Sequence, residues 1–141
     1  MGNYQELIFY QKARQNTKDI NELIRNWPKT MQMQEISRQL FRSASSIGAN
    51  IAEGHGRHQG TEYIHYLIIA QGSANETEHW LHTAQDCELG LKEKIDEILK
   101  LNNEVVRMIT TTINTLRAKQ ATKSLREGQA DYLGDSNLIN E

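Results

Sequence analysis

Apolar residues recur along this chain at steps of three and four, and the β-branched residues never alternate as a strand requires. The pattern predicts four helices. The first covers about 4–26, with Leu7, Tyr10, Ala13, Thr17, Ile20, Leu23 and Ile24 on one face. Trp27-Pro28 ends it, because the residue before a proline is pushed out of the helical region. Residues 30–35 read as a connector. The second helix is expected to start at Ser37, a good N-cap, with Ile36 and Phe41 placed as a hydrophobic staple. It continues to about Glu53, and Gly54, Gly56 and Gly60 then predict a flexible turn, glycine being favoured just past a helix end.

The third helix spans about 61–88. Tyr63, Leu67, Ala70, Ala74, Thr77, Leu81 and Ala84 repeat at alternating steps of four and three, which is a heptad seam. Tyr66, Ile69, Trp80 and Cys87 widen that seam, so the helix is expected to face more than one neighbour. Gly90 marks its end. The fourth helix runs from about 92 to 119 on a seam of Ile95, Ile98, Leu99, Asn102, Val105, Val106, Ile109, Ile113 and Leu116. Periodicity stops after Lys123. Four helices with short connections predict an all-α, antiparallel up-down-up-down four-helix bundle. It occupies residues 1–120, with 121–141 as a mobile C-terminal tail.

The second helix also carries a polar stripe. Arg42, Ser46, Asn50, Glu53 and Arg57 fall within about 80° of one another on the helix wheel. Ile47 and Ile51 lie beside them. Antiparallel pairing with the third helix brings Arg42 near Ser73, one turn from Glu76. An Arg42–Glu76 ion pair is therefore expected, with Asn50 and Glu53 satisfying each other or nearby helix ends. An Arg42 guanidinium suits the task because its donors hold a carboxylate in fixed geometry. The expected role is an enclosed, register-fixing polar network of Arg42, Ser46, Asn50, Glu53, Arg57, Ser73 and Glu76.

Composition narrows the class. The 141 residues suffice for one domain. One cysteine, Cys87, allows no internal disulfide and suits a reducing, cytoplasmic setting. No basic-then-apolar leader pattern opens the chain, and the longest apolar run, 66–70, is far too short for a bilayer. No membrane role is expected. Net charge is −2, but it is unevenly spread. Residues 1–57 hold eight bases and five acids, and residues 58–91 hold five acids and no base. Residues 92–126 hold eight bases and four acids, and residues 127–141 four acids alone. Helices of opposite sign packing together explain this simply. A basic face for RNA or DNA is the alternative, with Arg57, Lys92, Lys94, Lys100, Arg107, Arg117, Lys119, Lys123 and Arg126 as candidate contacts.

Catalytic and metal constellations are weak. Glu62–His65 and Glu76–His79 have the spacing of di-iron carboxylate ligands, but both lie on one helix, about 21 Å apart at 1.5 Å per residue. Glu78, His79 and His82 have zinc-compatible spacing. His65, Gly72, His79 and Asp86 share one heptad position opposite the core seam, exposed or at a subunit contact. His55, Arg57 and His58 could meet a phosphate. Gly54-His55-Gly56 follows a helix and lacks the G-x-G-x-x-G spacing, so it is no phosphate-cradling loop. Cys87 reads as packing beside the core. No catalytic residue, metal or cofactor is assigned.

The run Gln39-x-x-Arg42-Ser43-x-x-Ser46-Ile47-x-x-Asn50-Ile51-Ala52-Glu53-Gly54-x-x-Arg57, followed by Ala70-x-Gly72-Ser73-x-x-Glu76, resembles the signature of the 23S rRNA-intervening-sequence protein family, also called the four-helix bundle protein family. The resemblance extends over about 4–116 and includes the accessory protein of diversity-generating retroelements. It implies a bacterial, cytoplasmic four-helix bundle that forms a ring-shaped homopentamer. Most such proteins have no established activity, and the retroelement accessory protein binds a reverse transcriptase and nucleic acid. The mild acidity of this chain argues against simple transfer of that binding. The resemblance implies structural or interface roles for Arg42, Asn50, Glu53, Arg57 and Glu76, and no catalytic residue. The expected function is a non-enzymatic, homo-oligomeric adaptor for RNA or protein. The alternative is a purely structural module whose acidic 58–91 face meets a basic protein. A metalloenzyme is the remote third case.

Overall fold

The computed structural model describes residues 2–57 and 60–138, with the side chains of 135–138 excepted. After a 3₁₀ turn at Tyr4–Glu6 come α1 (Ile8–Arg25), α2 (Met31–Gly56), α3 (Gly60–Asp86) and α4 (Lys92–Leu138). Each helix packs on its chain neighbours and α4 closes back on α1, while among the described residues the backbones of the diagonal pairs α1/α3 and α2/α4 do not approach closely. The described residues contain helices and turns and no strand. This is the all-α four-helix bundle that the periodicity predicts.

Several boundaries differ from expectation. Leu7 adopts an extended conformation (ψ 123°), so the 3₁₀ turn and α1 are separate. α2 starts seven residues earlier than Ser37 suggests. Its N-cap is Thr30, whose hydroxyl accepts from the Met33 amide at 3.3 Å. Met31, Gln32, Gln34 and Glu35 are good helix formers, so the supposed connector is helical. Ser37 sits inside the helix and donates back to the Met33 carbonyl at 2.7 Å. Phe41 remains 42% exposed, so it staples nothing.

α3 closes with a Schellman arrangement. The Leu89 amide donates to the Ala84 carbonyl (2.8 Å) and the Glu88 amide to Gln85 (3.0 Å). The left-handed residue of this cap is Glu88 (φ 55°), two residues before Gly90, which the sequence suggested as the end of the helix. Gly90 (φ 75°) serves a second purpose. A Cβ there would stand 2.9 Å from Leu23 Cδ1 and 3.3 Å from Trp27 Nε1. α4 continues to Leu138, well past the expected end near Lys119. Loss of apolar periodicity marks the end of the bundle, not of the helix. Residues 121–134 are exposed, and Ala121, Lys123, Leu125, Arg126, Glu127 and Gln129 are good helix formers that carry the helix onward.

The core has two apolar clusters, one around Phe9, Ile47, Ile51, Leu67 and Ile109, the other around Ile20, Trp27, Leu40, Leu81 and Ile95. Between them each helix contributes one buried polar residue: Asn16, Ser43, Thr77 and Asn102. Asn16 Nδ2 donates to Asn102 Oδ1 (2.9 Å), and Asn102 Nδ2 to the Ala74 carbonyl (3.0 Å). Thr77 Oγ1 lies 3.0 Å from Ser43 Oγ. On α1 the buried row is Phe9, Ala13, Asn16, Ile20 and Leu23. Leu7, Tyr10, Thr17 and Ile24, expected on that face, are only partly buried, because α1 packs into the corner between α2 and α4.

Candidate functional site

The polar stripe of α2 faces the edge of α3, and its rungs follow the antiparallel register. At one level Arg42 forms an ion pair with Glu76. Arg42 also donates to Gln39 Oε1 at 3.0 and 3.2 Å, and the Trp80 indole donates to Glu76 at 3.3 Å. Further along, Ser73 Oγ donates to Ser46 Oγ at 3.0 Å. Asn50 turns back along its own helix to the Ser46 carbonyl (2.8 Å) and hydroxyl (3.0 Å). At the last level Arg57 donates to Glu53 at 2.6 and 3.0 Å and lies 5.6 Å over the Tyr66 ring. Hydrogen bonding to Glu53, helped by the nearby Tyr66 hydroxyl, pushes the Arg57 guanidinium above its ordinary range. Asn50 and Glu53 thus do not satisfy each other. One helical turn of separation favours Ser46 for Asn50 and Arg57 for Glu53.

The ladder is not enclosed. Side-chain exposure is 56% for Arg42, 37% for Glu76, 50% for Glu53 and 48% for Arg57. The stripe points to the outer margin of the α2–α3 contact, while Ile47 and Ile51 take the buried side. Gly54 explains why the two helices meet so closely. A Cβ at that position would lie 2.5 Å from Tyr66 Cβ and 3.2 Å from Tyr63 Cδ2. Gly54 is therefore a buried contact residue inside α2, not the turn glycine expected from sequence. Its signal was available in the chain only as an unexplained glycine next to an apolar seam.

The other candidates separate. His65, Gly72, His79 and Asp86 are all exposed, and so is Cys87, which was expected beside the core. α3 ends at Asp86, and Cys87 lies on the exposed side of the closing turn, which returns Leu89 to the core. Glu76 of the second Glu-x-x-His pair is taken by Arg42. His79 packs against the Trp80 ring at 4.9 Å, and His82 lies 3.5 Å from Glu78. Among the described residues no group of three or more His, Cys, Asp or Glu side chains converges. His55 sits between the Tyr4 and Tyr63 rings, at 6.5 and 5.7 Å, and burial raises the Tyr63 phenol. His58 lies outside the described residues.

The nine basic candidates do not form one face. Lys92 and Lys94 occupy the first turn of α4. Arg126 lies about 48 Å from Lys94 along the same helix at 1.5 Å per residue. Lys100 and Arg107 are exposed on either side of Glu104, which Lys12 engages at 2.9 Å. Arg117 is exposed near the end of the bundle. Lys119, Lys123 and Arg126 fall on one stripe along successive turns of α4, together with Glu127, which lies 3.9 Å from Lys123. Arg57 belongs to this same end, where Gln120 Nε2 donates to Thr61 Oγ1 at 3.1 Å. No helix among the described residues is long and apolar enough to cross a membrane.

A crystal structure of a protein of unknown function from the S23 ribosomal protein family of Bacteroides thetaiotaomicron resembles this fold, with a TM-score of 0.66 and 28% sequence identity. The match covers 75% of this chain and 98% of that one. No curated protein matches the chain. The family model for the 23S rRNA-intervening sequence protein matches residues 5–111, which include every rung of the α2–α3 ladder and stop before the free length of α4. The chain belongs to the 23S rRNA-intervening sequence protein family.

Proposed function

We propose that this protein is a non-enzymatic, homo-oligomeric bundle that acts in the cytoplasm as an adaptor, assembling with itself and presenting a surface to RNA or to a protein. The observation that carries this reading is the placement of the ladder. Arg42, Glu76, Glu53 and Arg57 are oriented by one another on an open face. Exposed pairs of this kind add only about 0–1 kcal/mol each to folding. Oriented surface charges that stabilise the fold so little suit recognition, where complementarity sets register and partner choice. Sedimentation velocity tests the assembly. The wild-type chain is expected to sediment as an oligomer, with five copies as the stoichiometry to check. Arg42→Glu, which sets two carboxylates together, should shift it toward smaller species at unchanged helix content. A wild-type chain that sediments as a monomer at every concentration rejects the reading.

A second observation favours RNA as the adaptor's cargo. Lys119, Lys123 and Arg126 share one stripe of α4 at the end of the bundle that also carries Arg57. Phosphate contacts of this type predict RNA retention that falls steeply with added salt. Lys119→Glu with Lys123→Glu should abolish it. Capture of a protein with no RNA at low salt would favour the purely structural module instead.

A further inference from the structure

We infer that the exposed end of α4 pairs with the same segment of a second copy as an antiparallel two-helix coil. The seam that α4 gives to the bundle ends at Leu116, and a second one begins on the other side of the helix. Ala118, Ala121, Leu125, Gly128 and Tyr132 are spaced three, four, three and four apart. Three of the five are too small to register as an apolar period. At about 100° per residue this seam lies about 160° round the helix from Leu116 and Gln120, the side that reaches Thr61 of α3. All five residues are exposed, Leu125 by 73% and Tyr132 by 78%, and a Cβ on Gly128 would meet nothing within 4 Å. The seam begins beyond residues 5–111, the part shared with the family, and the contact does not rest on the oligomer proposed above.

Three observations point to a second copy. A short helix draws most of its stability from packing an apolar face. This stretch contains Gly128 and Gly134, which are poor helix formers, and its last turn has no base to meet the helix dipole. Size complementarity is the second. The register that sets Leu125 of each copy against Gly128 of the other also sets Tyr132 against Ala121, so each large side chain meets a small one. Charge is the third. Residues 117–126 hold four bases and no acid, and residues 127–135 hold three acids and no base. Lys123 and Glu127 already meet along one helix at 3.9 Å, which leaves three bases in the first half and two acids in the second. Antiparallel pairing lays each basic half along the acidic half of the other copy, whereas parallel pairing sets like on like. One patch is thus complementary to itself about a two-fold axis. The stripe of Lys119, Lys123 and Arg126 lies about 120–180° from the seam and stays accessible in the pair.

Sedimentation velocity of the full chain tests the contact. Leu125→Lys with Tyr132→Lys is expected to halve the number of chains per assembly, whatever number the bundles reach by themselves. The thermal midpoint of the bundle should not move, because both residues lie beyond it. Gly128→Arg is the sharper variant, since arginine is much the better helix former. A single helix would gain helix content and keep its mass, whereas a paired one loses the space for Leu125 and the assembly halves. Disulfide trapping reads the orientation. In a Cys87→Ser background, chains with Ala121→Cys and chains with Tyr132→Cys should cross-link to each other on oxidation and not to themselves. Ala121→Cys chains that link to themselves show parallel pairing and overturn the proposal. Unchanged mass in both seam variants overturns it as well, and a wild type of several chains would then leave the oligomeric bundle standing. Seam variants that sediment as monomers beside a dimeric wild type support the coil and reject assembly through the bundle.

Discussion

Asn16 of α1 donates to Asn102 of α4 at 2.9 Å, and this bond stands at the centre of the only polar layer in an otherwise apolar core among the described residues. Both side chains are essentially without solvent access, and Asn16 Oδ1 has no partner of its own. An amide in such a position costs stability but defines alignment, as a lone buried asparagine does in coiled coils. Any slide of α1 against α4 would strand two amides among leucines and isoleucines.

Asn16→Leu alone leaves Asn102 Oδ1 unpaired in the core and should destabilise the bundle by about 1–3 kcal/mol. Adding Asn102→Leu removes the stranded group and should recover most of that loss. Urea unfolding of both single variants and the double variant gives the coupling. Strictly additive losses would show that the amides do not act as a pair.

Gly54→Ala reports on the α2–α3 contact. Alanine is the better helix former by about 1 kcal/mol, so an open site would gain stability. Here the new methyl meets Tyr66 Cβ at 2.5 Å, an atom held by its own backbone. The helices must part, and a net loss of about 1–3 kcal/mol is expected from overpacking. A raised thermal midpoint would contradict the close approach.

Two neighbouring left-handed residues should respond with opposite signs. Glu88 (φ 55°) bears the strain of a side chain in that region, about 1–2 kcal/mol, which Glu88→Gly relieves. Stabilisation by up to about 1 kcal/mol is expected after the added chain entropy of glycine. Gly90→Ala introduces the same strain and also presses on Leu23. It should destabilise by about 1–3 kcal/mol. Thermal unfolding of the two variants compares them directly, and equal signs would refute the assignment of the α3–α4 turn.

The hydrogen bond from Lys12 holds the Glu104 carboxyl below the ordinary carboxylate range, with Lys100 and Arg107 adding to the effect. A lowered folded-state value stabilises above the unfolded pKa and is lost as pH falls through the folded one. Unfolding midpoints measured from neutral pH down through the carboxylate range should therefore fall. Lys12→Met should flatten part of that fall by removing the largest cause. An unchanged acid profile in Lys12→Met would show that the pair contributes nothing to the linkage.

What the chain alone determined was the bundle. Periods of three and four survive in any environment, because they reflect only which side of a helix avoids water. They placed Leu67, Ala70, Ala74, Thr77, Leu81 and Ala84 correctly in the core. The level of Arg42 with Glu76 followed from the same counting, since an antiparallel pair has fixed register once its turn is located. Tertiary structure decided what counting cannot reach. Asn16 rather than Thr17 is buried, because the corner that α1 occupies rotates its inward row by one residue. Gly54 is a contact and not a turn, because only the approach of Tyr66 makes a Cβ impossible there. The charged members of the polar ladder are open to solvent, because that stripe falls at the outer margin of the α2–α3 contact, and helix periodicity carries no information about where a neighbour's edge ends.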